Sequence, residues 1–285
     1  MAEERDGEWD VDHLDLAAYL RRVGWEGGTE PTVETLVGLH RAHLAAIPFE
    51  NVDVLIGRGV AVDLDSVQAK LVERRRGGYC YEHGTLFAAV LERLGYPVER
   101  TLARIGGHQP RPMPRTHMNL RVTAGDRVWL ADTGFGSGLL EPLAFDVAGP
   151  RAQGPWTFEL VRTAAAGPTG TDAWELRELV GGEWATHYGL DRVRQHPADV
   201  MLSNHFTSTF PRSPFVNRLV VARKDADALH RLTDRVYAVT RPGRPAEERA
   251  VDDAELADLL TGLFRVPLDR DELAQLTARL PDPAR

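Results

Sequence analysis

The chain has 285 residues, a formal net charge of −8 and a single cysteine. The acidic balance argues against the basic face that nucleic-acid binding needs, and one cysteine excludes an internal disulfide. No run of 18 apolar residues occurs, so we expect no membrane span. The first residues lack a secretory signal and a lone thiol fits a reducing compartment, which predicts a cytoplasmic protein. The length suits one large domain or two to three small ones.

The first third of the chain predicts helices. Residues 16–23 repeat apolar side chains at helical spacing and stop at Gly24, and residues 33–44 repeat them again. His40 and His43 lie three apart in the second segment. Because no further ligand is near, we expect them to border a packed face rather than to bind a metal.

A loop is predicted at residues 47–51, where Phe49 follows a proline and suits a core position. Ser66 is expected to cap a short helix, because a serine side chain can accept a hydrogen bond from the first turn. That helix would end at the three arginines 74–76, since cations are favoured at a helix C-terminus. An anionic ligand is the alternative role for these arginines.

Cys80 stands between a glycine pair and a predicted helix. The apolar residues after it fall at helical spacing, and Gly95 and Pro97 then give a stop signal. A thiol in the first helical turn faces unpaired backbone N–H groups and the positive end of the helix dipole, which favour the nucleophilic thiolate. The alternative is a small buried core residue, which is the commoner role of cysteine.

The pattern changes near residue 98, where segments become shorter and richer in glycine and proline. Residues 117–122 and 128–132 alternate apolar and polar side chains, and further candidate strands lie at residues 156–161, 173–180 and 183–188. This middle third predicts an antiparallel sheet or a small barrel. The proline-rich insert at residues 106–115 predicts a mobile loop in front of His117.

The predicted hairpin relates His117 to Asp132. If Ala124 and Gly125 form a two-residue turn, His117 pairs directly with Asp132; if the turn is Gly125-Asp126, Asp132 becomes a diagonal neighbour on the same face. A three-residue turn would place the two on opposite faces. Two of these registers supply the histidine base and orienting carboxylate that a cysteine nucleophile needs.

The segment after Asp132, residues 133–138, alternates glycine with other residues, so its backbone could approach an anionic or carbonyl group closely. In the last third, residues 197–206 predict a helix that ends in the polar tract 207–209. Residues 219–221 and 236–239 predict strands. Two final helices begin at the capping patterns formed by Asp252 with Glu255 and Asp269 with Glu272.

Several spaced blocks resemble the arylamine N-acetyltransferase family. They are Ile47-Pro48-Phe49-Glu50-Asn51, Arg76-Gly77-Gly78-Tyr79-Cys80-Tyr81-Glu82, Arg115-Thr116-His117, Leu130-Ala131-Asp132-Thr133-Gly134-Phe135-Gly136 and residues 208–215. The resemblance implies an α+β fold with a cysteine-protease-like catalytic core. It implies a helical bundle (residues 1–97), an antiparallel β-barrel (98–196) and an α/β lid (197–285).

The resemblance also implies a site and its substrates. The family triad falls on Cys80, His117 and Asp132, with no metal. The family's acceptor-pocket phenylalanine falls on Phe49, and the positions where family members meet coenzyme A or line the cleft fall on Thr116, Phe135 and Gly136. Acetyl-CoA would be the acyl donor and an arylamine or arylhydrazine the acceptor, and we expect ping-pong transfer through S-acetyl-Cys80.

Two positions depart from the family pattern: Gly84 replaces a usual Asn and Thr133 a usual apolar residue. Three other functions stay open from the sequence. They are an amide synthase of the same fold that closes a polyketide macrolactam, a papain-like peptidase, and a non-catalytic small-molecule binding protein. The oligomeric state is not predicted.

Overall fold

The computed structural model describes residues 7–107, 113–163 and 173–281. Its first third is helical, as predicted. The elements there are α1 (Leu16–Val23), α2 (Val33–Ala46), β1 (Phe49–Glu50), α3 (Val52–Leu55), α4 (Leu64–Gln68) and α5 (Cys80–Arg93). A single π-helical turn, Ala69–Glu73, extends α4.

Helix α5 lies at the centre of the larger hydrophobic core. Phe87, Val90 and Leu91 on the predicted apolar face are fully buried. The helix ends where expected, because Gly95 adopts the left-handed conformation that follows many helix termini. The prediction that a helix begins at Cys80 is therefore confirmed, and the thiol lies in its first turn.

Two expectations for this third are wrong. Ser66 does not cap α4; Asp63 does, and its carboxylate accepts the Ser66 N–H at 2.9 Å. Residues 47–51 are not wholly a loop, because Phe49 and Glu50 form β1 and pair with a strand from the last third. Each error has its own physical reason. An aspartate three residues before Ser66 is an equally good helix cap, and a strand of only two residues carries no alternating pattern of its own.

The middle third forms an eight-stranded antiparallel sheet. Its strands are β2 (Val98–Ile105), β3 (His117–Ala124), β4 (Arg127–Ala131), β5 (Leu143–Ala144), β6 (Arg151–Gln153), β7 (Trp156–Thr163), β8 (Ala173–Val180) and β9 (Glu183–Asp191). Their order across the sheet is β5-β4-β3-β2-β9-β8-β7-β6. The Gln153 side chain links the two edges of this curled sheet: its Oε1 accepts from the N–H groups of Leu140 and Glu141, and its Nε2 donates to the Glu141 carbonyl. The predicted loop at 106–115 falls partly on residues 108–112, which lie outside the described residues.

The last third combines helices with a second antiparallel sheet. Its elements are α6 (Pro197–Thr209), α7 (Pro214–Asn217), β10 (Val220–Lys224), β11 (Leu229–Thr233), β12 (Val236–Thr240), β13 (Glu247–Ala250), α8 (Asp253–Asp258) and α9 (Arg270–Thr277). The sheet order is β1-β10-β11-β12-β13. One face packs on α8 and α9 through a second core that includes Val221, Leu232 and Leu276. The two predicted N-caps are present, since Asp252 accepts from Glu255 and Asp269 from Glu272.

Gly84 in α5 is explained by its neighbour on β3. A Cβ at residue 84 would lie 2.9 Å from both Cγ and Sδ of Met118, which is itself 1% exposed. We expect Gly84→Ala to destabilise the protein by about 1 kcal/mol, because overpacking outweighs the gain in helix propensity. Urea unfolding checks this.

Two controls accompany that measurement. In a Met118→Ala background the clash is absent, so Gly84→Ala should become neutral or stabilising. At Gly262, where a Cβ would meet nothing within 4 Å, alanine should also be neutral or stabilising. If Gly84→Ala still reduces the free energy of unfolding in the Met118→Ala background, packing against Met118 is not the reason for glycine at this position.

Candidate active site

Cys80 occupies the first turn of α5 and is 4% exposed. The N–H of Tyr79 donates to the Glu82 carboxylate at 3.0 Å, which fixes the start of the helix. Gly77 is required by packing, because a Cβ there would lie 2.3 Å from the carbonyl oxygen of Pro48. The glycine before the cysteine therefore lets two backbone segments touch directly behind the thiol.

A buried ionic network stabilises the segments packed around the start of α5. Lys70 lies 2.8 Å from Glu82 and 2.7 Å from Asp53, and Arg76 lies 3.0 Å from Glu50. Burial alone would lower the pKa of Lys70, but the surrounding carboxylates raise it. Arg76 thus acts structurally, since its guanidinium pairs with buried Glu50 rather than facing solvent.

The β3–β4 hairpin brings His117 to Asp132. Ala124 pairs with Arg127, so the turn is Gly125-Asp126, the second of the predicted registers. His117 Nε2 lies 2.8 Å from Asp132 Oδ2, and both side chains are buried. The predicted diagonal arrangement therefore exists in this structure.

Asp132 has further hydrogen-bond donors. The Tyr188 hydroxyl donates to Oδ2 at 2.7 Å and the Gly134 N–H donates to Oδ1 at 3.0 Å. Its own N–H donates to Nε2 of His40 at 3.1 Å. Burial would raise the pKa of Asp132, but His117 and these donors lower it, so the carboxylate is ionised.

The charge of Asp132 acts on His117. Burial would lower the pKa of His117, but the Asp132 carboxylate and a hydrogen bond with Cys80 raise it to about 10. Because Nε2 faces Asp132, Nδ1 is the nitrogen left for Cys80. The Cys80 sulfur also lies 3.7 Å from the carbonyl oxygen of Thr116. The three predicted catalytic side chains are therefore in contact, and the buried imidazole is protonated at neutral pH.

The glycine loop after Asp132 closes over the cysteine. A Cβ at Gly134 would lie 2.7 Å from Cα of Cys80, and a Cβ at Gly136 would lie 2.8 Å from Cγ of Phe49. Gly136 also has a φ of 78°. Between them, the Phe135 ring packs edge-on against His117 at 5.1 Å. Close backbone approach, expected from the sequence, is observed here.

Lys224 fixes the far end of the same loop. Its buried ammonium donates to the Ser137 carbonyl at 3.0 Å and to Glu178 at 3.1 Å, and it lies 3.8 Å from the centre of the Trp156 ring. Burial lowers the pKa of Lys224 to about 8. This contact joins β10 of the smaller sheet to β8 of the larger one beside Phe135.

A chain of buried hydrogen bonds lies behind Cys80. His83 Nε2 donates to the carbonyls of Gly78 and Pro48 at 3.1 and 3.2 Å, so its Nδ1 accepts from His43 Nε2 at 2.8 Å. His43 Nδ1 then accepts from the Tyr19 hydroxyl at 2.9 Å. Burial lowers the pKa of His83 to about 4 and that of His43 well below its usual value, so both are neutral.

His43 therefore borders a packed face, as predicted, and so does His40. His40 donates from Nδ1 to the Leu140 carbonyl at 3.0 Å, and burial lowers its pKa to about 4. The sequence did not indicate that His40 belongs to the site, although its Nε2 accepts a hydrogen bond from the backbone N–H of Asp132. Tyr188 was also missed; its only sequence signal is a place in a predicted strand.

A cavity of about 880 Å³ opens onto Cys80. Of the predicted substrate contacts, Phe49, Thr116 and Phe135 line it, and Gly136 packs behind Phe49. Much of the remaining lining is apolar and aromatic, with side chains from α6, α7 and the smaller sheet. Thr133, the second departure from the family pattern, is buried outside the lining of the cavity, and its hydroxyl has no hydrogen-bond partner among the described residues.

No group of three or more His, Cys, Asp or Glu side chains in residues 7–107, 113–163 and 173–281 is arranged to hold a metal ion. Within the same ranges, none of the helices has the length and apolar character needed to cross a membrane.

Comparisons with known proteins agree with this geometry. A family model described as N-acetyltransferase matches residues 32–273. The arylamine N-acetyltransferase of Mycolicibacterium smegmatis is 37% identical over 90% of this chain and 93% of its own length. The chain belongs to the arylamine N-acetyltransferase family, and it is an acyltransferase.

Solved structures give the same result for the fold. The arylamine N-acetyltransferase of Nocardia farcinica superposes with a TM-score of 0.89 at 41% identity, covering 95% of each chain. That of Mycobacterium marinum in complex with CoA superposes with a TM-score of 0.85 at 32% identity, covering 94% of this chain and 100% of its own. The predicted mixture of helices and antiparallel sheet is confirmed at this level.

The coupling between His117 and Asp132 predicts a pH-dependent stability. The pKa of His117 is raised above 6.5, so its contribution is complete below pH 6.5 and is lost as the pH rises through about 10. The pKa of Asp132 is lowered below 3.8, so its contribution is present above pH 3.8 and is lost as the pH falls through the folded value. We expect Asp132→Asn to reduce the free energy of unfolding by about 3 kcal/mol between these limits, and by less toward pH 10.

Urea unfolding of both proteins across this pH range measures the difference. Tyr188→Phe is the matched control, because it removes a hydrogen bond from the same carboxylate but no charge. It should cost about 1 kcal/mol with little change between pH 6.5 and 10. An Asp132→Asn difference that stays constant with pH would contradict a charged pair.

Proposed function

We propose that the protein transfers an acetyl group from acetyl-CoA to an arylamine or arylhydrazine through S-acetyl-Cys80. The observation that carries the proposal is the buried His117–Asp132 pair in hydrogen-bond contact with Cys80 at the base of an apolar cavity. Cys80 is the nucleophile, His117 moves the proton, and Asp132 orients the ring and balances its charge.

In the first half-reaction, the Cys80 thiolate attacks the thioester carbonyl and forms a carbon–sulfur bond. Unpaired N–H groups of the first turn of α5 donate to the oxyanion that develops. When the tetrahedral adduct collapses, the CoA sulfur leaves and takes the proton from His117. The products are S-acetyl-Cys80, CoA as the thiol, and a neutral imidazole.

The second half-reaction uses that neutral imidazole as a base. The ring has just given its proton to the CoA sulfur, and the Asp132 carboxylate, which is the larger cause of its raised pKa, makes it a good proton acceptor. The acceptor amine attacks the thioester carbonyl and His117 takes its proton. Collapse expels the Cys80 thiolate and restores the ion pair with the imidazolium.

The cavity supports an aromatic acceptor. Five phenylalanines line it, and aromatic rings pack well on one another; they are Phe49, Phe135, Phe206, Phe210 and Phe215. We assign the acceptor contact to Phe49, and CoA or cleft contacts to Thr116, Phe135 and Gly136. The CoA complex of the Mycobacterium marinum relative supports coenzyme A as the donor product.

We also propose the domain roles. Residues 1–97 present Cys80 as a helical bundle, residues 98–196 present His117 and Asp132 from the β-barrel, and residues 197–285 act as an α/β lid over a cysteine-protease-like core. The Phe49–Glu50 strand pairs with β10, so the first part also contributes to the sheet of the third. A catalytic thiol needs reducing conditions, which supports a cytoplasmic location.

Intact-mass measurement after incubation with acetyl-CoA tests this function. The wild-type protein should gain the mass of one acetyl group, mapped to Cys80, and lose it when an arylamine is added. Cys80→Ala should gain none and should lose transfer activity by on the order of 10³-fold or more, because the nucleophile is gone.

His117→Gln is the matched control, since it retains Cys80 but removes its base. It should fold, as judged by circular dichroism, and should acetylate Cys80 far more slowly than wild type. Acetyl transfer at the wild-type rate by Cys80→Ala, or an acetyl group mapped to another residue, would refute the proposal.

A further inference from the structure

Resting on the proposed function, we propose that Arg231 binds an anionic group, a carboxylate, on the acyl acceptor. The acceptor would then be an aromatic amine whose ring lies against Phe49 and whose carboxylate is on the far side of the ring from the amine. Arg231 would thus determine which arylamines the enzyme prefers.

The first observation is the register of the smaller sheet. Phe49 on β1 pairs with Ala222 on β10, and Ala222 pairs with Arg231 on β11. The three side chains therefore share one face, and all three line the catalytic cavity. Two strand spacings place Arg231 about 10 Å from Phe49 along this wall. The neighbouring row, with Val221 and Leu232, faces the helices on the opposite side.

The second observation is the charge inside the cavity. The protein has a net charge of −8, yet no Asp or Glu is among the described residues that line the cavity. The guanidinium of Arg231 has no hydrogen bond or ion pair with any described residue, in contrast to those of Arg76 and Arg115. The charge of Arg231 also acts on nearby Lys224, whose own charge is paired with Glu178 at 3.1 Å. An unpaired guanidinium at the edge of an apolar cavity is well suited to bind a carboxylate.

A second guanidinium, that of Arg212, also lines the cavity, but it lies over the Phe210 ring at 5.3 Å. Arg212 is on the loop between α6 and α7 rather than in the row with Phe49. The phosphates of CoA are a weaker match for Arg231 than an acceptor carboxylate. The whole pantetheine arm separates them from the thioester, whereas only the ring separates the amine of a para-substituted arylamine from its substituent.

The test compares two acceptors that differ in charge at one position, 4-aminobenzoate and 4-aminobenzamide. In Arg231→Gln, the ratio of kcat/KM for the benzoate to that for the benzamide should fall at least about tenfold from the wild-type ratio, because a charge-assisted hydrogen bond is lost. Taking the ratio removes the intrinsic reactivity difference between the two amines. The kcat/KM of Arg231→Gln for the benzamide should differ from that of wild type by less than about threefold.

Arg249→Gln is the matched control. Arg249 is on β13 of the same sheet, and its guanidinium lies over Tyr237 on the opposite face, so the variant makes the same charge change outside the cavity. Its acceptor ratio should equal that of wild type. A fall of the ratio in Arg212→Gln but not in Arg231→Gln would overturn the assignment.

Donor binding is distinguished by the rate of Cys80 acetylation. Arg231→Gln should acetylate Cys80 at the wild-type rate with both acetyl-CoA and 4-nitrophenyl acetate, which has no phosphate. If only the acetyl-CoA rate falls and the acceptor ratio is unchanged, Arg231 serves the CoA phosphates and the proposal is wrong.

Equilibrium binding separates this proposal from the proposed function. Titration calorimetry with 4-aminobenzoate needs no acetylation of Cys80. It therefore measures the contribution of Arg231 to acceptor binding even in a protein that fails to form the thioester. Arg231→Gln should weaken benzoate binding at least about tenfold and leave benzamide binding unchanged. Equal benzoate affinities in Arg231→Gln and wild type would refute the role of Arg231.

Discussion

The buried carboxylate of Asp132 is the constraint on which the site depends. An ionised group without water is destabilising by several kcal/mol unless nearby donors replace its hydration. Here His117, the Tyr188 hydroxyl and the Gly134 amide supply those donors. Because these donors must surround the carboxylate, its charge sets the positions of three groups: the imidazole ring, the start of the glycine loop and a tyrosine from the other half of the larger sheet. The arrangement needed to compensate the charge is also the arrangement that chemistry at Cys80 requires.

The position of the thiol is fixed by close backbone packing. Gly77 touches the Pro48 carbonyl and Gly134 touches Cα of Cys80, and neither contact tolerates a Cβ. Behind them, the neutral chain from His83 to Tyr19 gives the Pro48 and Gly78 carbonyls a second donor each, in addition to the backbone N–H groups that they already accept. The helix supplies the electrostatic environment of the thiol, and these contacts supply its location relative to His117.

Much of the fold and of the candidate site could be predicted from the sequence, because the sequence signals for those parts are local. The turn at Gly125-Asp126 sets the register that joins His117 to Asp132, and the start of α5 follows from the glycines and the apolar period. Strand β2 was not predicted, because polar side chains such as Arg100 are buried in it. Arg100 is compensated by Glu92 at 2.7 Å, a tertiary contact with no periodic signature.

The missed site residues share the same explanation. Tyr188 and His40 reach Asp132 from β9 and α2, and Lys224 reaches the Ser137 carbonyl from β10. Each is one polar residue in an otherwise ordinary element, so its role exists only once the two sheets and α2 are assembled. The strand at Phe49–Glu50 is similar, since its pairing partner follows more than 160 residues later.

The central claim is that His117 carries a proton at neutral pH because Asp132, and to a smaller extent Cys80, stabilise the imidazolium. NMR titration of the His117 ring, labelled with ¹⁵N in the otherwise intact protein, measures this directly. The account predicts an imidazolium spectrum at pH 8, with titration only near pH 10. A neutral ring at pH 8 that titrates near 6.5 would contradict it.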